Sequence, residues 1–352
     1  MKIHTSILLF TLLPTLPLFA RDKSDILVMN NGDRLTGEIK GLSAGTLYVS
    51  FDYILSTSSV NWSKVNHVES TQLFIVKTES GMVYTGTLKT TERAGERPMQ
   101  IEIASATEPA VVVEQPQIVE VNQTAERFLQ RLNGDINLGF NYTKGNQAAQ
   151  YNFNSSVEYP RPRWVAGVAY QSTLSSSSGS AVTTRNALSF DGEHLLRWSN
   201  WFYAGNATFR QSSEQNIDLQ TNIGGGIGRF LKNTNRAKIS LLGGLAWQNT
   251  KYSPSSTAQI GQQQVLAALI SGKMSMFRFN KTNLDVTASI LPALNQPGRF
   301  YYDTNITYYV KLFGKLNWNT SFYGNWDTRP PAGYSGSDYG ASSGLGWTFG
   351  NK

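Results

Sequence analysis

Leu316-Asn317-Trp318-Asn319-Thr320-Ser321-Phe322-Tyr323-Gly324-Asn325-Trp326 is the run on which the fold turns. Leu316, Trp318, Phe322 and Trp326 share one parity; Asn317, Asn319, Ser321 and Asn325 share the other. Successive side chains of a strand point to opposite faces, so this run predicts a strand with one apolar face and one polar face. The pattern recurs upstream, where Tyr302, Thr304, Ile306, Tyr308, Val310 and Leu312 alternate with Tyr301, Asp303, Asn305, Thr307, Tyr309 and Lys311. It recurs again over 284–290.

Working outward, strands are expected at about 135–142, 149–159, 163–172, 184–195, 200–211, 216–230, 237–249, 264–277, 283–292, 300–312, 315–327 and 337–349. Alternating segments of roughly 10 residues with aromatics near their ends are the pattern of a transmembrane β-barrel. Twelve is an even number, as single-chain bacterial barrels require. A soluble sandwich also alternates, but it must bury its apolar faces against a second layer.

The connections alternate too. Short, often basic turns such as Tyr159-Pro160-Arg161-Pro162-Arg163 and Phe313-Gly314-Lys315 exchange with longer loops rich in Ser, Gly, Gln and Pro. This is the asymmetry of periplasmic and extracellular ends. Both ends of the barrel segment fall on the short-turn side, which predicts a periplasmic N-terminal region.

Of the 352 residues only 16% are charged, 12% are aromatic and 31 are Gly, which suits a wall facing lipid. The net charge of +7 is spread over turns rather than gathered in a block, favouring lipid over nucleic acid as partner. There is no cysteine, hence no disulfide framework and no thiolate nucleophile. Residues 1–20 read as a secretory leader: Lys2 supplies the charge, 7–18 the apolar stretch, and Ala20 the end, with Leu18 larger than the small residue usual near a cut. No stretch outside it supplies an apolar run long enough for a transmembrane helix.

Between 25 and 121 the texture changes to short strands with Gly-containing turns. Ile26-Leu27-Val28-Met29-Asn30-Asn31-Gly32-Asp33-Arg34-Leu35-Thr36-Gly37 reads as a hairpin with an Asn-Gly type I′ turn. Gly81 and Thr85-Gly86 return at an offset of 49, and Val60, Val65 and Val68 are matched by Val113, Ile118 and Val121 at an offset of 53. Two copies of a small all-β unit follow. Their pattern resembles Sm-like or SH3-like barrels, which implies a fold and no activity. The expected organisation is a leader at 1–20, a periplasmic tandem β region at 25–121, a linker at 122–133 and an outer-membrane barrel at 134–352.

The Gly-rich start Gly134-Asp135-Ile136-Asn137-Leu138-Gly139-Phe140-Asn141, the Lys144-Gly145-Asn146 hairpin and the last strand Gly344-Leu345-Gly346-Trp347-Thr348-Phe349 resemble the YdiY-like outer-membrane family, domain of unknown function 481. The resemblance implies an outer-membrane barrel and no settled activity. Gly350-Asn351-Lys352 departs from it, since barrel-assembly signals commonly end on the aromatic.

Enzymatic chemistry finds little to stand on. Of three histidines, His4 is in the leader, His67 in the N-terminal region, and His194 has lipid-facing parity. No Gly-x-Ser-x-Gly, His-Glu-x-x-His, phosphate loop or calcium loop occurs, and no cofactor or metal is expected. Gly224-Gly225-Gly226-Ile227-Gly228 sits inside a strand pattern and is read as accommodating barrel curvature or large lumen side chains.

The candidate site is therefore the set assigned to the lumen: Arg185, Asp191, Glu193, Arg210, Asp218, Asp285, Asp303, Lys311, Lys315 and Asp327. Mixed signs leave two readings open, salt-bridge ladders that plug a narrow barrel or charges lining a small pore. The expected function is a non-enzymatic narrow channel or envelope component. The alternative is a surface or periplasmic module that binds a ligand or a protein through the polar loops or the N-terminal region, a periplasmic protein partner being assigned to the N-terminal region; a hydrolase is the least favoured reading.

Overall fold

The computed structural model describes residues 24–91, 98–105, 109–124, 132–143, 148–179, 181–196, 200–253, 261–278, 281–330 and 335–349. The expected leader, the Lys144-Gly145-Asn146 turn, residues 125–131 of the expected linker and the tail 350–352 lie outside the described residues. Among these residues the only helical turns are two short 3-10 turns, at Trp62–Lys64 and Gln115–Gln117.

The N-terminal sheet contains β1 (Asp25–Met29), β2 (Arg34–Ser43), β3 (Thr46–Ser50), β4 (Ser58–Asn61), β5 (Val65–Thr78), β6 (Val83–Thr90), β7 (Gln100–Ala104), β8 (Val111–Glu114) and β9 (Ile118–Gln123). The two offsets appear in its pairing. The first half of β5 closes back on β1, with Leu27 opposite Val68, and β9 closes back on the second half of β5, with Val76 opposite Val121. Each copy thus returns its last strand to its first. The two 3-10 turns, at equivalent positions, meet: Trp62 Nε1 donates to the Gln115 carbonyl at 3.0 Å, and Gln115 Nε2 donates to the Trp62 and Val65 carbonyls.

One core serves both copies, with Ile39, Val49, Val68, Phe74, Val76, Ile101 and Ile118 fully buried. Each such side chain stabilises the sheet by roughly 1.5–3 kcal/mol. The β1–β2 turn departs from the type I′ expectation. Met29 N donates to the Asp33 carbonyl, and only Gly32 of the loop has positive φ (+91°), so a three-residue loop with a left-handed glycine replaces the two-residue turn. Gly81 (φ +84°) closes the β5–β6 turn in the same way, with Thr78 N on the Met82 carbonyl.

The second body is a closed antiparallel barrel of β10 (Asn133–Thr143), β11 (Ala148–Pro160), β12 (Trp164–Ser176), β13 (Thr183–Leu195), β14 (Trp201–Ser212), β15 (Ile217–Asn233), β16 (Ala237–Tyr252), β17 (Gln262–Arg278), β18 (Thr282–Pro292), β19 (Phe300–Phe313), β20 (Leu316–Asp327) and β21 (Ser337–Phe349). Closure is by β10 on β21, with Leu138 opposite Leu345, so no edge strand is left within the barrel.

Alternation decides which side chains line the wall. Leu138, Ile223, Leu245, Ile270 and Leu345 point outward and stay exposed, although a water-soluble protein would cover so broad a belt. Aromatics flank the belt. On the short-turn side stand Tyr159 with Trp164 at 5.8 Å, Tyr203, Tyr308, Trp318 and Trp347; on the long-loop side stand Phe140 with Tyr151 at 4.9 Å, Trp247, and Phe300 with Tyr302. An apolar band between aromatic girdles is the exterior of a transmembrane barrel, as the alternation predicts.

The N-terminal sheet meets the barrel at the short-turn end. Asn200 Nδ2 donates to the Glu79 carbonyl at 2.7 Å, and Asn235 Nδ2 donates to the Ile118 carbonyl at 2.8 Å. Lys311 Nζ reaches Ser59 Oγ at 3.5 Å. Glu120 of β9 ties the two bodies electrostatically, 3.0 Å from Lys77 and 4.0 Å from Lys238. Burial alone would push the Glu120 carboxyl up. Lys77, Lys238 and the Asn122 amide reverse that and hold it at about 2.

Candidate functional site

The inward faces of the barrel strands carry polar side chains at both ends, beside a buried apolar cluster of Val265, Ala267, Leu291 and Ala293 at the long-loop end. On the short-turn side, Asp191 and Glu193 of β13 face the lumen, where Lys273 of β17 attracts both and Lys238 and Lys77 also act on Glu193. Lys77 belongs to the N-terminal sheet, so the charge of that sheet reaches into this mouth. Asp285 accepts from Ser275 Oγ at 2.6 Å on the same inner wall. Phe202 and Phe230 pack inward nearby with tilted rings, centroids 4.9 Å apart.

His194 faces outward between Trp164 and Tyr203 in the lower girdle, on the opposite face from Asp191 and Glu193. Among the described residues no three His, Asp or Glu side chains gather in the manner of metal ligands.

On the long-loop side the lumen is crossed. Arg185 Nε of β13 lies 3.0 Å from Asp338 Oδ2 of β21, although β10, β11 and β12 separate their strands around the ring. The Arg185 guanidinium also stacks on Tyr323 at 3.9 Å, and Ser212 Oγ of β14 donates to Asp338 at 3.3 Å. Asp338 is 2% exposed. A second pair seals the rim: Arg299 grips Asp327 with Nε and Nη2, donates Nη1 to Gln296 at 2.6 Å and covers the Tyr301 ring. Two-point contact fixes such a pair geometrically as well as electrostatically.

Arg210 and Asp303 also face inward, on β14 and β19. Their charges interact, yet no carboxylate lies within ion-pair distance of Arg210 among the described residues. Lower down, Asn319 Nδ2 of β20 donates to Asn137 of β10 at 2.8 Å.

Two of the ten expected lumen residues are elsewhere. Asp218 sits in a β-bulge: the pairing passes from Ile217–Tyr252 to Leu219–Lys251, leaving Asp218 outside the ladder. It is exposed at the rim and accepts from Ser253, while Ile217 takes the buried place. A bulge inserts one residue and so reverses the parity from which facing was inferred. Lys315 is exposed in the Gly314-Lys315 turn between β19 and β20, where alternation no longer applies. Lys311 is inward in register but exposed at the mouth, turned toward Ser59.

Asp338, Lys238, Lys273 and Arg299 complete the arrangement and were not among the candidates. Period-two reasoning reaches the first three, because Lys273 shares parity with Ser271 and Ser275, and Asp338 with Gly340 and Ser342. Arg299 precedes its strand in a loop, so no periodicity marks it.

No curated relative matches the chain. Among solved structures it is similar to the translocator domain of autotransporter NalP from Neisseria meningitidis, at 12% identity and TM-score 0.35, covering 61% of this chain and 86% of that one. It is similar also to a porin, at 12% identity and TM-score 0.28, covering 92% and 98%, and to the outer membrane protease OmpT from Escherichia coli, at 11% identity and TM-score 0.23, covering 62% and 96%. Similarity this slight assigns no function. The family model described as "Protein of unknown function, DUF481" matches residues 136–349, nearly the whole barrel, and the chain belongs to that family.

Proposed function

We propose that this protein is a non-enzymatic outer-membrane barrel whose lumen is a narrow passage for small polar solutes, held shut in this conformation. The observation that carries the reading is the Arg185–Asp338 bridge, which crosses a lumen whose inner wall carries polar and charged side chains toward both ends. A barrel with a purely structural role has no need of a polar interior on both sides of one crossing pair. On this reading the N-terminal sheet faces the periplasm and covers the short-turn mouth, and lipid surrounds the apolar belt.

The experiment is single-channel recording in a planar bilayer of the refolded chain beside Arg185→Ala and Asp338→Ala. The native chain is expected to be silent or to give rare, small steps, and both variants to give larger and more frequent ones. Silence from all three, with heat-modifiable gel mobility showing that each barrel has folded, rejects a passage.

A further inference from the structure

Leu55 is the barest large apolar side chain among the described residues, at 110% relative exposure, followed by Phe313 at 72% and Tyr53 at 71%. Leu55 and Tyr53 lie in the loop between β3 and β4, and Phe313 ends β19. The two segments are neighbours, because Lys311 Nζ reaches Ser59 Oγ at 3.5 Å. Phe313 follows Lys311 closely, and the chain from Ser59 back to Leu55 spans at most ~14 Å when extended.

A second contact gives the β3–β4 hairpin its direction. Its base lies against the β15–β16 turn, where a Cβ on Gly45 would be 3.0 Å from the Asn235 carbonyl oxygen. Asn61 pairs with Thr46 beside that base, and Ser59, further along the same strand, meets Lys311. The hairpin therefore runs from the β15–β16 side of the short-turn mouth toward β19, and residues 51–57 continue past Lys311 to the rim. Phe51 is buried at the root of this loop and stacks on Tyr53, ring centroids 5.5 Å apart, which props the tip out of the sheet. Asp52 is the only charge in 51–57.

Adjacent bare apolar side chains mark a contact surface. At that rim the barrel presents the lower end of its apolar belt, Leu312 and Phe313 beside Lys311, with Tyr308 and Trp318 in the girdle. Tyr and Trp at such a level mark the boundary between headgroups and hydrocarbon. Charge agrees: the short turns 159–163, 197–200, 232–236, 278–281 and 313–315 contain no Asp or Glu, and Lys232, Arg236, Arg278, Lys281 and Lys315 are exposed there. An apolar tip beside a basic rim matches anionic headgroups over hydrocarbon.

We propose that the Tyr53-Ile54-Leu55 loop inserts into the leaflet at the short-turn end and anchors the N-terminal sheet to the bilayer that the barrel spans. Lipid at this loop and the polar contacts of Asn200 and Asn235 together hold the sheet over the mouth. The anchor requires an embedded barrel and is indifferent to whether the lumen conducts.

The chain has no cysteine, so a single label can be placed at will. Leu55→Cys, Asn31→Cys in the exposed β1–β2 turn and Leu245→Cys in the belt are each labelled with the fluorophore NBD in the full chain, refolded into vesicles of phosphatidylethanolamine and phosphatidylglycerol. The Leu55 label is expected to shift to the blue and to be quenched by lipids carrying a nitroxide near the headgroup, the Asn31 label to do neither, and the Leu245 label to be quenched by nitroxides deep in the acyl chain. Adding Tyr53→Ser and Ile54→Ser to the Leu55→Cys chain is expected to abolish the shift, showing that the loop's own side chains carry the insertion. The proposal is overturned if the Leu55 label behaves as the Asn31 label while the Leu245 label is quenched, or if the two serines leave the shift unchanged. An unquenched Leu245 label overturns the membrane reading as well, so the two failures are told apart.

Discussion

Arg185 and Asp338 meet across the barrel, Nε to Oδ2 at 3.0 Å, from strands that do not touch each other in the sheet. Removing only one partner leaves an uncompensated buried charge. Asp338→Asn is expected to destabilise the barrel by about 3–5 kcal/mol, while the double replacement Arg185→Met with Asp338→Leu costs less. Urea unfolding in detergent or lipid, read by loss of heat-modifiable mobility, measures both. A double variant costing the sum of Arg185→Met and Asp338→Leu measured singly would show that the pair is not coupled.

Leu245, outward at the middle of β16 and 57% exposed, tests whether the apolar belt faces lipid. Leu245→Arg is expected to cost about 2–4 kcal/mol in a bilayer, the penalty for a cation at the midplane. On a surface bathed in water the same change would be nearly neutral, so an unaffected unfolding midpoint in lipid vesicles argues against the membrane-facing reading.

Gly81 and Gly32 occupy equivalent turns with similar φ, +84° and +91°, but a Cβ at Gly81 would lie 2.8 Å from the Asn200 backbone nitrogen, whereas Gly32 has open space. Replacing either glycine by Ala strains its turn. Only Gly81→Ala is expected also to push the N-terminal sheet off the barrel, seen as faster protease cleavage between the two bodies. Identical cleavage rates for the two variants would contradict this docking.

Glu120 gives the docking a pH dependence. Its carboxyl is held at about 2 in the fold against an ordinary 4.5, so the unfolded chain binds the proton more readily. The stability it contributes is complete above about 5 and is lost as the pH falls toward 2. Hydrogen exchange of β9 is expected to accelerate over that window in the native chain and to change less in Glu120→Gln. Parallel acceleration in both would assign the effect to other groups.

Much of the barrel is legible in the order of residues because the constraint is local. Lipid outside and a polar lumen inside impose period two on every strand, so the alternation of Tyr302 with Asp303, or of Trp318 with Asn319, reports both strand and facing without reference to the rest of the chain. The tandem offsets of 49 and 53 are local in the same sense, and the paired strands and 3-10 turns follow them.

What escaped that reading depends on contacts between distant segments. A single extra residue in β15 put Asp218 at the rim, and no periodicity announces a bulge before its partner strand is known. Inward parity places Arg185 in the lumen but cannot say that Asp338 stands opposite, because that depends on how the ring closes and how far each strand is staggered. The approach of Gly81 to Asn200, and that of Ser59 to Lys311, likewise exist only once separate strands and two bodies are set against one another. Period-two order along a strand is a property of sequence, whereas proximity across a lumen is a property of closure.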